Sequence, residues 1–239
     1  LTNTHETEKV KVSVTKVWDD NGNIANKRPS SLTVTLTNTN QTVVLNEANS
    51  WTASISDLPK YAGGVAIDYT WSEGTLSGGY SLKDSTLDTT DPTTLITTIT
   101  NTYDQSIDKT SATVEKVWND SNNQDGKRPA NLTVKLYKDG SEYTSVTLNS
   151  ANNWNQTVNN LPMYDGSKVC VYTWEEQSIT GYTSSSTKTD ATTTVITNTH
   201  VTETTKATVK KVWDDKNNLA NARPSSLFVT LGQTKDKCE

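Results

Sequence analysis

The chain has 239 residues, of which only 32% are hydrophobic, and it carries a formal net charge of −5. This acidic balance, with no cluster of lysine and arginine among aromatic residues, leaves no basic surface for phosphates, so we expect no nucleic-acid partner. No apolar run is long enough for membrane insertion. Two cysteines, Cys170 and Cys238, are too few for a disulfide framework, and Cys170 is expected to be a buried free thiol in an apolar strand.

An internal repeat organises the chain. The string Lys-Val-Trp begins at Lys16 and recurs at Lys116 and Lys211, and each copy is followed by an Arg-Pro pair and a strand-like run such as SLTVTL. The first two copies continue through a tryptophan, a Leu-Pro pair and the string YTWSE or YTWEE to a closing ITNT. Recurrence of this kind indicates tandem structural repeats.

The repeat frame predicts five segments. They are the last strand of a preceding repeat at 1–7, a full repeat at 8–103, a linker at 104–108, a second full repeat at 109–200, and the truncated start of a third repeat at 201–239.

Within each repeat, short alternating strands are separated by Asn, Asp, Gly and Pro turns, and no stretch has a reliable helical period. Threonine and valine at the strand positions suit a sheet with one wet face. The pattern therefore predicts an all-β chain in which each full repeat is a seven-strand sandwich or a partly open barrel.

Strand alternation places three polar residues on core faces. Lys16 shares its parity with Val10, Val12 and Val14, which have to form the core. A glutamate joins the aromatic face of a middle strand, and an asparagine joins the apolar face of the last strand. The three residues are Lys16, Glu73 and Asn101 in the first full repeat, and Lys116, Glu176 and Asn198 in the second.

These three residue types together suggest one reaction. Burial lowers the pKa of a lysine and leaves a neutral, nucleophilic amine. A buried carboxylic acid stays protonated and can hydrogen-bond to the carbonyl of an asparagine side chain, which makes that carbon more electrophilic. We therefore expect each lysine to attack the asparagine of its own repeat, with the glutamate passing protons and ammonia leaving. The reaction happens once per repeat, without a cofactor or a metal.

The motifs resemble those of the Cna B-type domains of Gram-positive surface adhesins and pili. The likeness covers nearly the whole chain and rests on KVWDD, the Arg-Pro pair, YTWSE or YTWEE, the Gly-Tyr pairs and ITNT. It implies tandem immunoglobulin-like or prealbumin-like β-sandwiches, arranged as beads on a string and closed by internal isopeptide bonds at the same lysine, glutamate and asparagine positions. Asn3 and Lys211 occupy equivalent positions but lack the rest of their triads.

The repetition and the resemblance predict a structural stalk or spacer of an extracellular adhesin or pilus-like protein, rather than an enzyme. Its partners would be the neighbouring repeats. Other parts of the parent protein would bind a host-matrix or cell-surface ligand and anchor it to the cell wall. The alternative function is a ligand-binding module for carbohydrate or host matrix, which an exposed patch present in one repeat and absent from the other would favour.

Three residue groups also have a plainer interpretation. The lysines Lys16 and Lys116 could extend to the sandwich edge and form simple ion pairs with the glutamates. The seven tryptophans could form a sugar-binding platform, but all recur at repeat landmarks, which favours packing. His5 and His200 each follow an ITNT strand and are interpreted as linker residues.

Overall fold

A computed structural model describes Leu1 and residues 6–232, which fall into two units, Leu1–Val201 and Thr202–Glu239. The predictions for Asn3, His5 and Cys238 lie outside the described residues.

The first unit contains two copies of one nine-strand pattern. In the first copy, called repeat 1, the strands are β1 (Lys9–Asp19), β2 (Ser31–Leu36), β3 (Gln41–Asn46), β4 (Thr52–Pro59), β5 (Tyr61–Ala62), β6 (Val65–Ala66), β7 (Trp71–Glu73), β8 (Tyr80–Asp91) and β9 (Thr94–Tyr103). In the second copy, called repeat 2, they are β10 (Lys109–Asn119), β11 (Asn131–Lys138), β12 (Ser141–Asn149), β13 (Asn155–Pro162), β14 (Tyr164–Asp165), β15 (Lys168–Val169), β16 (Tyr172–Glu176), β17 (Thr183–Lys188) and β18 (Thr193–Thr199).

Each repeat is a sandwich of a four-stranded and a three-stranded sheet, with a two-stranded ribbon beside it. In repeat 1 the strand orders are β4-β1-β9-β8 and β3-β2-β7, and the ribbon is β5-β6. Repeat 2 has the orders β13-β10-β18-β17 and β12-β11-β16, with the ribbon β14-β15. The predicted all-β tandem sandwiches are therefore confirmed, with seven strands in the two main sheets of each repeat.

The first and last strands of each repeat lie side by side and run parallel, whereas the other strand pairs are antiparallel. In repeat 1 this register sets Lys16 beside Ile99 and Trp18 beside Asn101. Side chains two apart on a strand share a face, so Lys16 and Asn101 point to the same side of the sheet.

The cores follow the predicted alternation. In β1 the residues Val10, Val12, Val14 and Lys16 are buried, while the residues between them are partly or fully exposed. Repeat 2 repeats the pattern. Cys170 is a buried free thiol of its core, as expected, but it lies between β15 and β16 and not in a strand. Burial of one face of each sheet against the other is the main source of stability in such a sandwich.

The second unit departs from the prediction. Residues 202–232 form no regular strand, although the alternation around Lys211 and the run SLFVTL predict two. In repeat 1 the equivalent strands pair with β4, β9, β3 and β7, and residues 202–232 supply no counterpart to those partners. A strand gains its hydrogen bonds only from neighbouring strands, so strand propensity alone does not produce one here.

An ordered turn joins the two repeats. A short 3₁₀ helix, Gln105–Ile107, lies between β9 and β10. The Gln105 side chain accepts a hydrogen bond from Asn21 of repeat 1 at 3.0 Å and donates one to the Gly166 carbonyl of repeat 2 at 3.0 Å. The Tyr103 hydroxyl donates to Asp108 at 2.6 Å. The predicted linker thus contacts the sandwiches on both sides.

Gly79 provides a test of this junction. Its φ is +95°, and a Cβ at this position would lie 2.6 Å from Ile107 Cδ1 and 2.9 Å from the ring of the buried Tyr103. We expect Gly79→Ala to lower the free energy of unfolding of repeat 1 by about 2–3 kcal/mol, from left-handed strain and overpacking together. Calorimetry and denaturant unfolding measure the loss.

Gly78→Ala is the matched control. Gly78 also has a positive φ, +75°, but its added Cβ would meet nothing within 4 Å. Only the conformational strain of about 1 kcal/mol is expected there. Equal losses in the two variants would show that the contact with Tyr103 and Ile107 contributes nothing.

Candidate functional site

The three predicted residues of repeat 1 meet in the core, although they come from three strands and both sheets. Lys16 on β1 and Asn101 on β9 point inward from the four-stranded sheet. Glu73, the last residue of β7, reaches them from the opposite sheet, where it pairs with Val34. Parallel pairing therefore brings the lysine and asparagine together, and sandwich packing adds the glutamate.

The contacts in repeat 1 are direct. Lys16 Nζ lies 3.1 Å from Glu73 Oε2 and donates hydrogen bonds to the Asn101 side-chain oxygen and, at 3.4 Å, to the Ile99 carbonyl. The Lys16 side chain has no exposed area, and Asn101 is 1% exposed. This excludes extension of the lysine to the sandwich edge, although an ion pair with Glu73 remains compatible with the geometry.

Repeat 2 reproduces the cluster. Lys116 Nζ lies 3.1 Å from Glu176 Oε2 and donates to the Ile196 carbonyl at 3.3 Å. Asn198 occupies the position equivalent to Asn101 and is 1% exposed. Among the residues that the structure describes, neither polar atom of its side chain has a hydrogen-bond partner. Buried polar atoms in native proteins are nearly always paired, so this amide stands out.

Burial shifts the lysine equilibria in the direction that a nucleophile needs. Desolvation lowers the pKa of both Lys16 and Lys116, and it outweighs the opposing hydrogen bond and charge of the neighbouring glutamate. A lower pKa increases the population of the neutral amine, whose lone pair can attack a carbonyl carbon. Each repeat thus holds an amine, a carboxamide and a carboxyl group on the buried faces of its two sheets.

The equivalent lysine of the second unit lacks these buried neighbours. Lys211 is exposed and has neither a glutamate nor an asparagine of the triad in its unit, as the sequence predicts. Its Nζ lies 4.7 Å from the centroid of the Trp213 ring.

The structure contains a second polar cluster near the lysine, which the sequence analysis did not predict. In repeat 1 the Asp20 carboxylate, 2% exposed, accepts hydrogen bonds from Arg28 Nε at 3.0 Å, from Arg28 Nη2 at 2.7 Å and from the Tyr80 hydroxyl at 2.9 Å. Asp120, Arg128 and Tyr182 form the same cluster in repeat 2. The sequence does contain an indication of this cluster. The second acidic residue after the Trp, the Arg-Pro pair and the Gly-Tyr pair recur together in both full repeats.

Hydrogen bonding governs the charge state of these aspartates. In Asp120, hydrogen bonds from Arg128 lead the causes that lower the pKa to about 2. In Asp20, burial acts to raise the pKa, but the hydrogen bonds from Arg28 and Tyr80 outweigh it and the pKa is lowered. Burial raises the pKa of Tyr80. The carboxylates are therefore charged at neutral pH.

The other candidates prove structural. Six tryptophans pack in or against the two cores, and Trp213 in the second unit is 38% exposed. His200 follows β18 and is anchored there, with Nδ1 2.6 Å from the Gly181 carbonyl oxygen and Nε2 3.0 Å from Asp125. Among the described residues, no group of three or more His, Cys, Asp or Glu is placed to hold a metal ion, and no helix is long and apolar enough to cross a membrane.

Comparison with known proteins gives consistent matches. A family model described as the Cna protein B-type domain matches residues 12–102 and 112–199. The collagen adhesin of Staphylococcus aureus is 38% identical over 237 residues, which cover 98% of this chain and 19% of the adhesin. Two B repeat units of the S. aureus collagen binding protein are 37% identical, with a TM-score of 0.45, over 91% of this chain and 56% of theirs. A single B repeat unit is 36% identical, with a TM-score of 0.38, over 82% and 100%.

The lowered pKa of Asp120 predicts an acid-sensitive contribution to repeat 2. Because the folded pKa of about 2 lies below the ordinary value of 3.8, the carboxylate stabilises the repeat fully above about pH 4. This stabilisation is lost as the pH falls towards 2. We expect the unfolding temperature of repeat 2 to fall more steeply across this range in the parent chain than in Asp120→Asn. Calorimetry at a series of pH values tests it.

Asp20→Asn is the control for this measurement, because it removes the equivalent carboxylate from repeat 1 only. It should leave the pH profile of the repeat 2 transition unchanged. Parallel profiles for Asp120→Asn and the parent would contradict the assignment.

Proposed function

Because this chain belongs to the Cna protein B-type domain family, we propose that it is a stalk or spacer segment of a cell-surface adhesin, hardened by an isopeptide bond inside each full repeat. The bonds join Lys16 to Asn101 and Lys116 to Asn198. The proposed repeats are residues 8–103 and 109–200, which enclose the two matched ranges.

The proposal rests on one observation. In both repeats a fully buried lysine side chain with a lowered pKa lies 3.1 Å from a glutamate and shares its sheet face with a buried asparagine on the neighbouring strand. A lysine buried for stability alone is rare, because removing its charge from water is costly and apolar residues of similar size would fill the space at lower cost. Because both repeats contain these residues, we infer that the residues take part in the same reaction in each repeat.

The chemistry is a transamidation within the chain. The neutral Lys16 Nζ attacks the Asn101 side-chain carbonyl carbon and forms a carbon–nitrogen bond. Glu73 accepts the proton released by the attacking nitrogen and delivers one to the departing amide nitrogen, which leaves as ammonia. The balance is one amine and one primary amide giving one secondary amide and one ammonia, with the glutamate regenerated. The protein is changed by the reaction, so this is a single turnover and not enzyme activity on an outside substrate.

The bond would tie the first strand to the last. Lys16 and Asn101 are 85 residues apart in the sequence, so closing this loop restricts the unfolded chain and contributes about 4–5 kcal/mol to stability on an entropy model. Under tension, force enters at the start of β1 and leaves at the end of β9. The bonded strands then carry the load, and the strands between them cannot be extended.

The proposed cellular location is based on the relatives of this chain. The curated relative is named a collagen adhesin, and this chain matches only 19% of its length. We propose an extracellular location, anchorage to the cell wall and binding of a host-matrix ligand by other parts of the parent protein. Ligand binding by these repeats themselves is the alternative, and the packing of six tryptophans in or against the two cores supports the spacer proposal over a sugar platform.

Intact mass tests the proposal. We expect the purified chain to be lighter than its sequence mass by two ammonia molecules, because each repeat loses one. Glu73→Ala and Glu176→Ala should each recover one ammonia, since proton transfer fails in the altered repeat. The more conservative Glu73→Gln should behave as Glu73→Ala if the carboxyl group is the essential feature.

Glu175→Ala is the matched control. Glu175 neighbours Glu176 on β16 but is exposed, because adjacent strand residues face opposite ways. This variant should keep both bonds. A parent chain with its full sequence mass would leave the lysines as ordinary ion-pair partners and remove the isopeptide part of the proposal.

A further inference from the structure

A three-residue group borders the reacting lysine in each repeat. It consists of the tryptophan two residues after the lysine, the aspartate four residues after it, and the arginine of the Arg-Pro pair. We name this group the tryptophan clamp. Its members are Trp18, Asp20 and Arg28 in repeat 1, Trp118, Asp120 and Arg128 in repeat 2, and Trp213, Asp215 and Arg223 in the second unit.

The clamp links the aspartate to the lysine through successive contacts. In repeat 1 the Arg28 fork binds both oxygens of Asp20, and its guanidinium carbon lies 5.6 Å from the Trp18 ring centroid. The same ring centroid is 4.7 Å from Lys16 Nζ. Bidentate arginine–carboxylate pairs are geometrically specific, so the guanidinium is held in one orientation. The ring is thus close to both the fixed arginine and the lysine.

Aromatic neighbours restrict the ring further. Trp51 and Tyr80 approach Trp18 edge-on, with centroids at 5.0 and 5.1 Å. Tyr80 also donates its hydroxyl to Asp20, so the aspartate orients two of the groups that surround Trp18. Repeat 2 has the same arrangement, with Trp118 centroid distances of 4.8 Å to Lys116 Nζ and 5.4 Å to the Arg128 guanidinium carbon.

The clamp also exists where there is no sheet. In the second unit the Trp213 centroid is 4.7 Å from Lys211 Nζ and 5.8 Å from the Arg223 guanidinium carbon. Arg223 binds Asp215 at 2.8 and 2.6 Å. This unit has no regular strand in residues 202–232 and lacks the glutamate and asparagine of a triad. The clamp therefore depends on a short local segment and not on the sandwich.

We propose that the tryptophan clamp positions the lysine for isopeptide formation, by fixing an aromatic ring against the amine before the last strand and the glutamate arrive. This inference rests on the proposed isopeptide bonds. The clamp residues neither transfer a proton nor touch the bond that breaks, so they are positioning residues. A lysine side chain loses considerable rotamer freedom when it is held in one place, and a preformed ring surface reduces that cost at the moment of reaction.

The ring contact positions the amine and does not activate it. An aromatic face attracts the charged form of a lysine, whereas burial favours the neutral form. The ring therefore opposes the lowering of the lysine pKa by burial, and removing it does not make the amine harder to deprotonate. The positioning effect is measured at high pH, where the amine is neutral in every variant: there the limiting rate of bond formation should fall when the ring is removed.

The test follows bond formation in time. The full chain is synthesised and kept in urea, diluted into folding buffer over a series of pH values, quenched at intervals and digested with trypsin. Mass spectrometry then counts cross-linked peptides from repeat 1 and repeat 2 separately. The rate of bond formation in the unaltered repeat 2 is the internal reference for changes made in repeat 1.

Trp18→Leu removes the ring, and we expect it to slow bond formation in repeat 1 by about tenfold or more relative to repeat 2. Trp18→Phe keeps a ring and should restore the rate to within about threefold of the parent. Asp20→Asn releases Arg28 and should give an intermediate rate. The limiting rates at high pH, where the amine is neutral, should follow the same order.

Several outcomes would overturn the inference. These are equal rates in repeat 1 and repeat 2 for Trp18→Leu, equal rates for Trp18→Leu and Trp18→Phe, or a loss of rate that disappears at high pH, where the amine is neutral. Tryptophan fluorescence gives the folding rate in the same samples, and folding slowed by the same factor as bond formation would make the role structural. A parent chain without cross-links in either repeat would instead reject the proposed function itself, so the two failures are distinguishable.

Discussion

The parallel pairing of the first and last strands is the constraint on which the rest of each repeat depends. It sets Lys16 beside Ile99 and Trp18 beside Asn101, so the lysine and asparagine share one face of the sheet. Because these strands are distant in sequence, the pairing forms only when the whole repeat folds. The opposite sheet then brings Glu73 to 3.1 Å from the lysine amine. Site assembly and folding are thus the same event.

Burying a lysine in each core is costly, and the surroundings of the lysine reflect this cost. Desolvation lowers its pKa, and conversion to an amide would remove the charge altogether. The surrounding groups are accordingly specific: a tryptophan ring held by an arginine and an aspartate lies on one side, and the glutamate lies on another. The Gln105 turn joins the two repeats and forms a hydrogen bond with each of them.

Much of this arrangement was predictable, because strand alternation depends only on local sequence. Parity alone placed Lys16, Glu73 and Asn101 on core faces, and the seven-strand sandwich followed from short strands separated by turns. The parallel register was not predictable, since it is a pairing between distant segments. Asp20 was missed because its partners are distributed over two other motifs. The strands expected around Lys211 were wrong, because alternation describes a strand's faces but does not provide the neighbours that a strand needs.

Pulling a single molecule by its ends tests the central claim, that each repeat is covalently closed from first strand to last. With the bonds present, residues 16–101 and 116–198 cannot extend, and the force–extension curve should lack an unfolding step from either repeat. Lys16→Ala should restore one step, of about 300 Å for the 85 residues released in repeat 1. Two full-length steps in the unaltered chain would contradict the account, because the strands would then be held only by hydrogen bonds and packing.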